Sequence, residues 1–218
     1  MSRLSDVIVQ TEAHVRQILA GDSSGHDWWH IDRVRKNALQ IAREEGADLP
    51  LVELAALLHD IADWKFHGGD ETAGPKAARE WLLANDLEPH LIDAVCEIIA
   101  QISFKGAGVV TNMSNLAGKC VQDADRLDAI GAIGIARAFA FGGHFGRAMY
   151  DPTVPPELHA SFAAYKSNGG PTINHFYEKL LLLKDRLQTD AGRRIALQRH
   201  EFMLSFLKQF FDEWNSQA

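Results

Sequence analysis

Apolar residues recur at three- and four-residue spacing along almost the whole chain, the period of an amphipathic helix. Leu4, Ile8, Val15, Ile18 and Leu19 predict a first helix that ends near Gly21. Ile31, Val34, Ala38 and Ile41 predict a second, stopped by Gly46, a residue that readily ends a helix in the left-handed conformation. Pro50 suits the opening turn of a third helix whose core face is Leu51, Leu54, Ala55, Leu58 and Ile61. Pro75 opens a fourth through Ala78, Trp81 and Leu82, and Pro89 a fifth through Ile92, Val95, Ile99 and Ile102. A sixth runs from Leu116 to Leu127 and continues with little interruption into Ile130–Phe141. Two more are expected, around Phe176–Leu187 and Ala191–Trp214. No stretch sustains the period-two alternation of a half-buried strand; the best strand candidate is the short Gly108–Thr111 run. The expected fold class is therefore all-α.

Between these helices, residues 64–74 carry three glycines, and residues 142–171 concentrate glycine and proline with few apolar residues. A connection that long within a compact domain is usually functional, so 142–171 is expected to be a lid or wall over a site. At 218 residues, a single domain spanning 1–218 is the simplest organisation. The C-terminal helix, MLSFLKQFFDEW, carries aromatics along one stripe and is a candidate cover for the bundle or contact in a homodimer.

Composition narrows the partners. A net charge of −7 with pI near 5.8 argues against binding duplex DNA or anionic membranes through a general field. Any phosphate must then be met by local cations or a metal. The two cysteines, Cys96 and Cys120, lie in apolar helical runs, which reads as buried, reduced thiols in a cytoplasmic protein. The MSRLSDVIVQTEAHV stretch carries acids early and no long apolar run, so neither a signal peptide nor a membrane span is expected there.

Four polar residues interrupt the apolar pattern where a core would otherwise want hydrophobes. They are His30 in HDWWHIDRVRKNA, His59 and Asp60 in LAALLHDIADW, and Asp125 in VQDADRLDAIGA. Two imidazoles and two carboxylates form a nitrogen/oxygen donor set suited to a borderline or hard divalent ion. The His-Asp dipeptide is weak by itself, since this composition gives about one such pair by chance and two occur. Its context is stronger, because an ionised Asp at the end of so apolar a helix is costly to bury without a cation beside it.

The order His30, His59-Asp60, Asp125 resembles the HD-domain metal-dependent phosphohydrolase superfamily, over an HD core of about residues 26–130, with residues 172–214 a C-terminal helical extension. DADRLDAIGAIG resembles that superfamily's closing motif. HDxxHxxRV and ISFKG resemble a small bacterial subgroup with nucleoside triphosphate pyrophosphohydrolase members. The resemblance implies a single-domain helical bundle whose metal ligands are His30, His59, Asp60 and Asp125. Spacing places Asp125 and Asp128 on one helix face and Asp123 on another. The resemblance selects Asp125, leaving Asp128 as polar support and Asp123 at the surface.

The implied cofactor is one divalent ion, manganese foremost, with nickel, cobalt, iron, zinc and magnesium also compatible. Two-metal members of the superfamily carry extra histidines between the His-Asp pair and the last Asp; here that interval holds only His67 and His90, so the resemblance implies a single metal. Asp63 follows His59 and Asp60 by four and three residues, one helical turn, and is the candidate to orient or deprotonate the attacking water. Lys65, Lys105, Arg33, Arg126 and His26 are the candidate phosphate or substrate contacts. Lys105 lies among glycines that would let backbone amides approach an anion. His144 and Tyr150 could close over a substrate from the long connection. The expected function is hydrolysis of a phosphoester or phosphoanhydride bond of a small nucleotide or phosphorylated metabolite, as a nucleoside triphosphate pyrophosphohydrolase or nucleotidase. The alternative is a nucleotide-binding regulatory module without turnover.

Overall fold

The computed structural model describes residues 3–20, 27–62, 70–102, 113–158 and 169–217. Among these the secondary structure is entirely helical, an all-α fold. In chain order the α-helices are α1 (Arg3–Ile18), α2 (Trp28–Glu45), α3 (Leu49–Leu58), α4 (Ala73–Ala84), α5 (Pro89–Ile102), α6 (Leu116–Asp128) and α7 (Gly131–His144). They are followed by α8 (Thr172–Glu178), a 3-10 helix η1 (Leu180–Arg186) and α9 (Asp190–Trp214). No helix of the described residues is long and apolar enough to cross a membrane.

The chain divides into two compact units, and the division falls inside α6, between Asp125 and Arg126. In the first unit α3 is the central element, with Val52 and Leu54 to Leu58 buried and with α1, α2 and α5 against it. The stops expected from sequence form as local chemistry demands. Asp48 caps α3 by accepting from the Leu51 amide (3.1 Å), and Pro50 sits in the first turn. Gly46 ends α2 at φ +73°, and the Ala47 amide returns to the Ala42 carbonyl (2.9 Å). Arg35 on α2 joins the three helices, donating through Nη1 to Glu12 of α1 (2.7 Å) and through Nε to Glu53 of α3 (2.8 Å).

Helix α4 is tied to α1 by Trp81, whose Nε1 donates to Thr11 Oγ1 (2.8 Å), while the His14 ring stacks on Trp81 (3.7 Å, 4°). Burial pushes the His14 pKa below its ordinary 6.5. The unfolded chain then binds the proton more readily than the folded one, so the neutral ring's stability is full above the ordinary value. It is lost as pH falls through 6.5 toward the folded-state value. Denaturant melts at pH 7.5 and 5.5 should show wild type losing more stability on acidification than His14→Gln; parallel losses would remove His14 as a cause.

In the second unit α9 packs on α7 and η1, and α8 packs on both α7 and η1. Phe139, Phe176 and Phe206 meet within it, the last two stacked at 5.8 Å. Two expectations are corrected here. The helix around Phe176–Leu187 breaks at Lys179 (φ −142°, ψ −59°) and continues as η1. Helix α6 does not run into α7: Ile130 is extended and Gly131 restarts the chain at φ +76°. The described part of the long connection is tethered to α8, and residues 159–168 of the expected lid or wall lie outside the described residues. The amides of Thr172 and Ile173 bond to the carbonyls of Ala148 and Met149 (2.9 and 3.0 Å), and Asn174 bonds to the Val154 carbonyl. Tyr150, a candidate for closing over a substrate, packs its ring against Phe210, Phe211 and Trp214 of α9, and His144 packs on Phe145. The C-terminal aromatic stripe is thus partly covered from inside its own unit. Of the adjacent tryptophans that open α2, Trp28 is buried and Trp29 exposed, and Trp214 at the end of α9 is exposed.

Candidate metal centre

The site begins with a helix cap. Asp27 precedes α2 in an extended conformation, and its Oδ1 accepts from the His30 amide (3.0 Å), satisfying a first-turn donor that has no partner within the helix. The HDWWH run thereby places His30 at the third helical position, with its side chain fully buried. Asp27 was not singled out from sequence, although its cap role follows from an Asp three residues before the amide it binds.

His59 terminates α3. Its Nδ1 lies 2.8 Å from the Ala56 carbonyl, and a carbonyl can only accept, so Nδ1 carries the proton. In the neutral ring Nε2 is then a lone-pair donor. It faces Nε2 of His30 at 3.2 Å, with the two rings at 68° to one another. Asp60 follows in the turn, closed by the Ile61 amide on the Leu58 carbonyl, and sets Oδ2 3.4 Å from His30 Nε2 and 3.8 Å from His59 Nε2. From α6, Asp125 Oδ1 stands 3.6 and 3.8 Å from the same two nitrogens.

These carboxylate distances are longer than N–H···O hydrogen bonds. Donors bound about 2.1 Å from one ion stand roughly 3.0 to 3.4 Å apart in octahedral or tetrahedral arrangement. The observed edges, 3.2 to 3.8 Å, are those of a donor set converging on one point from slightly outside bonding distance. His30, His59 and Asp60 form the tightest group, and Asp125 joins it through both imidazoles. The imidazoles are the dry floor, while the side chains of Asp60 and Asp125 are 16% and 32% exposed, so the carboxylate side is open to a ligand. The residues present therefore fit a divalent ion.

Asp123 corrects the sequence reading: it is fully buried rather than at the surface. The reason is that α6 has no exposed face from Cys120 to Ala124. From Cys120 to Asp128 every residue is buried except Asp125, so a helix-face argument built on one apolar stripe does not apply. Burial, with Asp123 and Glu45 nearby, pushes the Cys120 thiol up to about 12, which makes it inert. Both cysteines are buried and free, as expected. Asp128, read as polar support, is buried and accepts from Arg137 Nη1 (3.0 Å).

Of the expected substrate contacts, Arg33 is half-buried on α2, three residues past His30. Arg126 is buried, and its Nη1 donates to the Arg186 carbonyl, which occupies one face of the guanidinium with a structural task. His26, Asp63, Lys65 and Lys105 lie outside the described residues. The spacing argument for Asp63 is weakened, because α3 ends at Leu58 and a turn, not a helix, carries His59 to Ala62. Gln122 was missed by sequence reasoning. Its buried Nε2 donates to the carbonyls of Gln101 and Ile102 (2.9 and 3.1 Å), capping the end of α5 where the ISFKG stretch begins. Nothing in local sequence marks such a long-range cap.

A family model for the HD domain matches residues 28–130, a span that contains all four converging residues. The chain is 40% identical over 210 residues to YpgQ of Bacillus subtilis, covering 92% of this chain and 90% of YpgQ. YpgQ has also been crystallised in complex with ADP, and that structure superposes with a TM-score of 0.73 at 37% identity, over 94% of this chain and 97% of the other. An HD-superfamily hydrolase of Bacillus thuringiensis is 45% identical with a TM-score of 0.75, covering 98% of this chain and all of that one. A protein of Lactobacillus plantarum superposes with a TM-score of 0.87 at 37% identity, over 97% and 98% of the two chains. The chain belongs to the HD domain family and is a metal-dependent hydrolase of the HD superfamily.

Proposed function

We propose that the chain is a phosphohydrolase of small nucleotides, cleaving a phosphoester or phosphoanhydride bond, with nucleoside triphosphates the first class to test. The observation that carries this reading is the convergence of His30 and His59 Nε2 with carboxylate oxygens of Asp60 and Asp125 at 3.2 to 3.8 Å. The nucleotide class is supported by the relative YpgQ, which binds ADP in its crystal structure. In this reading His30, His59, Asp60 and Asp125 hold one divalent ion, manganese foremost. When bound, such an ion supplies charge neutralisation for the phosphoryl group and makes water more acidic.

The chain's own residues supply the rest. The Ala56 carbonyl holds His59 in the tautomer that leaves Nε2 available, and the Asp27 cap fixes the first turn that carries His30. The exposed side of Asp60 and Asp125 admits the phosphate, and Asp63 is the proposed acceptor for the proton of the attacking water. Arg33, Lys65, Lys105, Arg126 and His26 are the proposed cations and donors for the remaining phosphate charge, a local need in a protein of net charge −7.

Turnover of purified protein against a panel of nucleoside mono-, di- and triphosphates, with and without manganese, tests the reading. Metal-dependent release of phosphate or pyrophosphate from at least one of them is expected. Tight nucleotide binding with no release, with manganese or with any of nickel, cobalt, iron, zinc and magnesium in its place, would instead establish a binding module.

A further inference from the structure

We propose that Arg199 is the positioning residue for Asp125: it caps the end of α6 and thereby holds the carboxylate in register with the imidazoles. The assignment rests on reading Asp125 as part of the metal centre. Asp125 stands within the last turn of α6, where the Ala129 and Ile130 amides each make a single long bond (3.2 Å) to the Arg126 and Leu127 carbonyls, so that Arg199 is a second donor on Leu127. Unsupported last turns fray, and a carboxylate on a fraying turn has no fixed place. From far along the chain, Arg199 on α9 brings Nη1 to the Leu127 carbonyl, two residues past Asp125. A cation at that end also complements the helix dipole.

The residues around it leave room for this contact. Gly131 follows α6 at φ +76°, and a Cβ there would meet Cβ and Cγ of Arg199 at 3.0 Å. The bare glycine lets the arginine stem pass across the turn. A Cβ on Gly134 would lie 2.3 Å from the Ala129 carbonyl oxygen, so α7 can fold closely onto the end of α6 only with glycine at that place. The AIGAIG stretch after Asp125 thus forms the seat of the arginine. The neighbours of Leu127 are held as well, Arg126 to the Arg186 carbonyl and Asp128 to Arg137, but by their side chains; Arg199 grips the helix main chain itself. Burial lowers the Arg199 pKa against the opposing charge of Asp128, which marks the guanidinium as desolvated and its bond to the carbonyl as one without easy replacement by water.

The test compares three variants of the full chain. Arg199→Met keeps most of the stem and loses the donors, Arg199→Lys returns a donor and the charge, and Met203→Ala removes a buried side chain from the same helix while keeping the arginine. Two quantities are read: manganese affinity, from the electron paramagnetic resonance of free ion, and amide hydrogen exchange over residues 124–128 in metal-free protein. Arg199→Met is expected to weaken manganese binding about tenfold, as loss of a residue supporting a metal ligand does, and to speed exchange over that stretch. Arg199→Lys should recover part of both, and Met203→Ala should lower the melting temperature with affinity unchanged. Wild-type affinity in Arg199→Met, or an equal affinity loss in Met203→Ala, would overturn the proposal. Wild-type protein that takes up no manganese would overturn the metal reading and the role toward Asp125 with it, leaving the exchange data to show only whether Arg199 holds the helix end.

Discussion

Asp125→Ala should abolish metal-dependent hydrolysis while leaving a folded protein. Asp125 is the least buried residue between Cys120 and Asp128, so its removal opens no core cavity and leaves no hydrophobic partner exposed. What it removes is one of two carboxylates facing a pair of imidazole nitrogens that stand 3.2 Å apart. Loss of an ion that stabilises several kcal/mol of charge in the transition state corresponds to a rate loss of about a thousandfold, at roughly 1.4 kcal/mol per tenfold. Initial rates at saturating manganese, with circular dichroism melts of the same preparations, check both halves. Retention of more than a tenth of the rate in a protein of unchanged melting temperature would remove Asp125 from the centre.

The largest effect on stability is expected at Phe176. Its side chain is fully buried, stacked on Phe206 and tilted against Phe139, and it lies within the short helix α8 that η1 follows. Phe176→Ala leaves a cavity that rings on two other helices cannot fill, at a cost of about 4 kcal/mol. For a chain of this size that is a fall of about 12 °C in melting temperature. Phe176→Leu, which refills much of the volume, should recover more than half. A thermal melt of Phe176→Ala within about 3 °C of wild type would show that the second unit repacks around the loss.

Much of this fold was legible because its helices advertise their ends. Gly46 and Pro50 bracket the α2–α3 junction, and Pro89 begins α5. The four candidate ligands were legible for a related reason: a histidine or aspartate inside an apolar helix pattern needs a partner, and here each provides one for the others. The reading failed where a residue's environment is set by the whole fold. Asp123 looked exposed because periodicity assumes that a helix has an outside, whereas α6 has none between Cys120 and Ala124. Lys179 interrupts an apolar run that spacing alone would continue through α8 and η1. Gln122, Arg137 and Arg199 act on partners 20, 9 and 72 residues away in sequence, and no local pattern encodes hydrogen bonds of that kind.

The centre itself is tested most directly by anomalous diffraction from crystals grown with manganese, recorded on both sides of the metal's absorption edge. One strong peak is expected, about 2.0 to 2.3 Å from Nε2 of His30, Nε2 of His59 and carboxylate oxygens of Asp60 and Asp125, consistent with a single divalent ion on nitrogen and oxygen donors. A peak bound elsewhere, or no peak among these four side chains at saturating manganese, would contradict it.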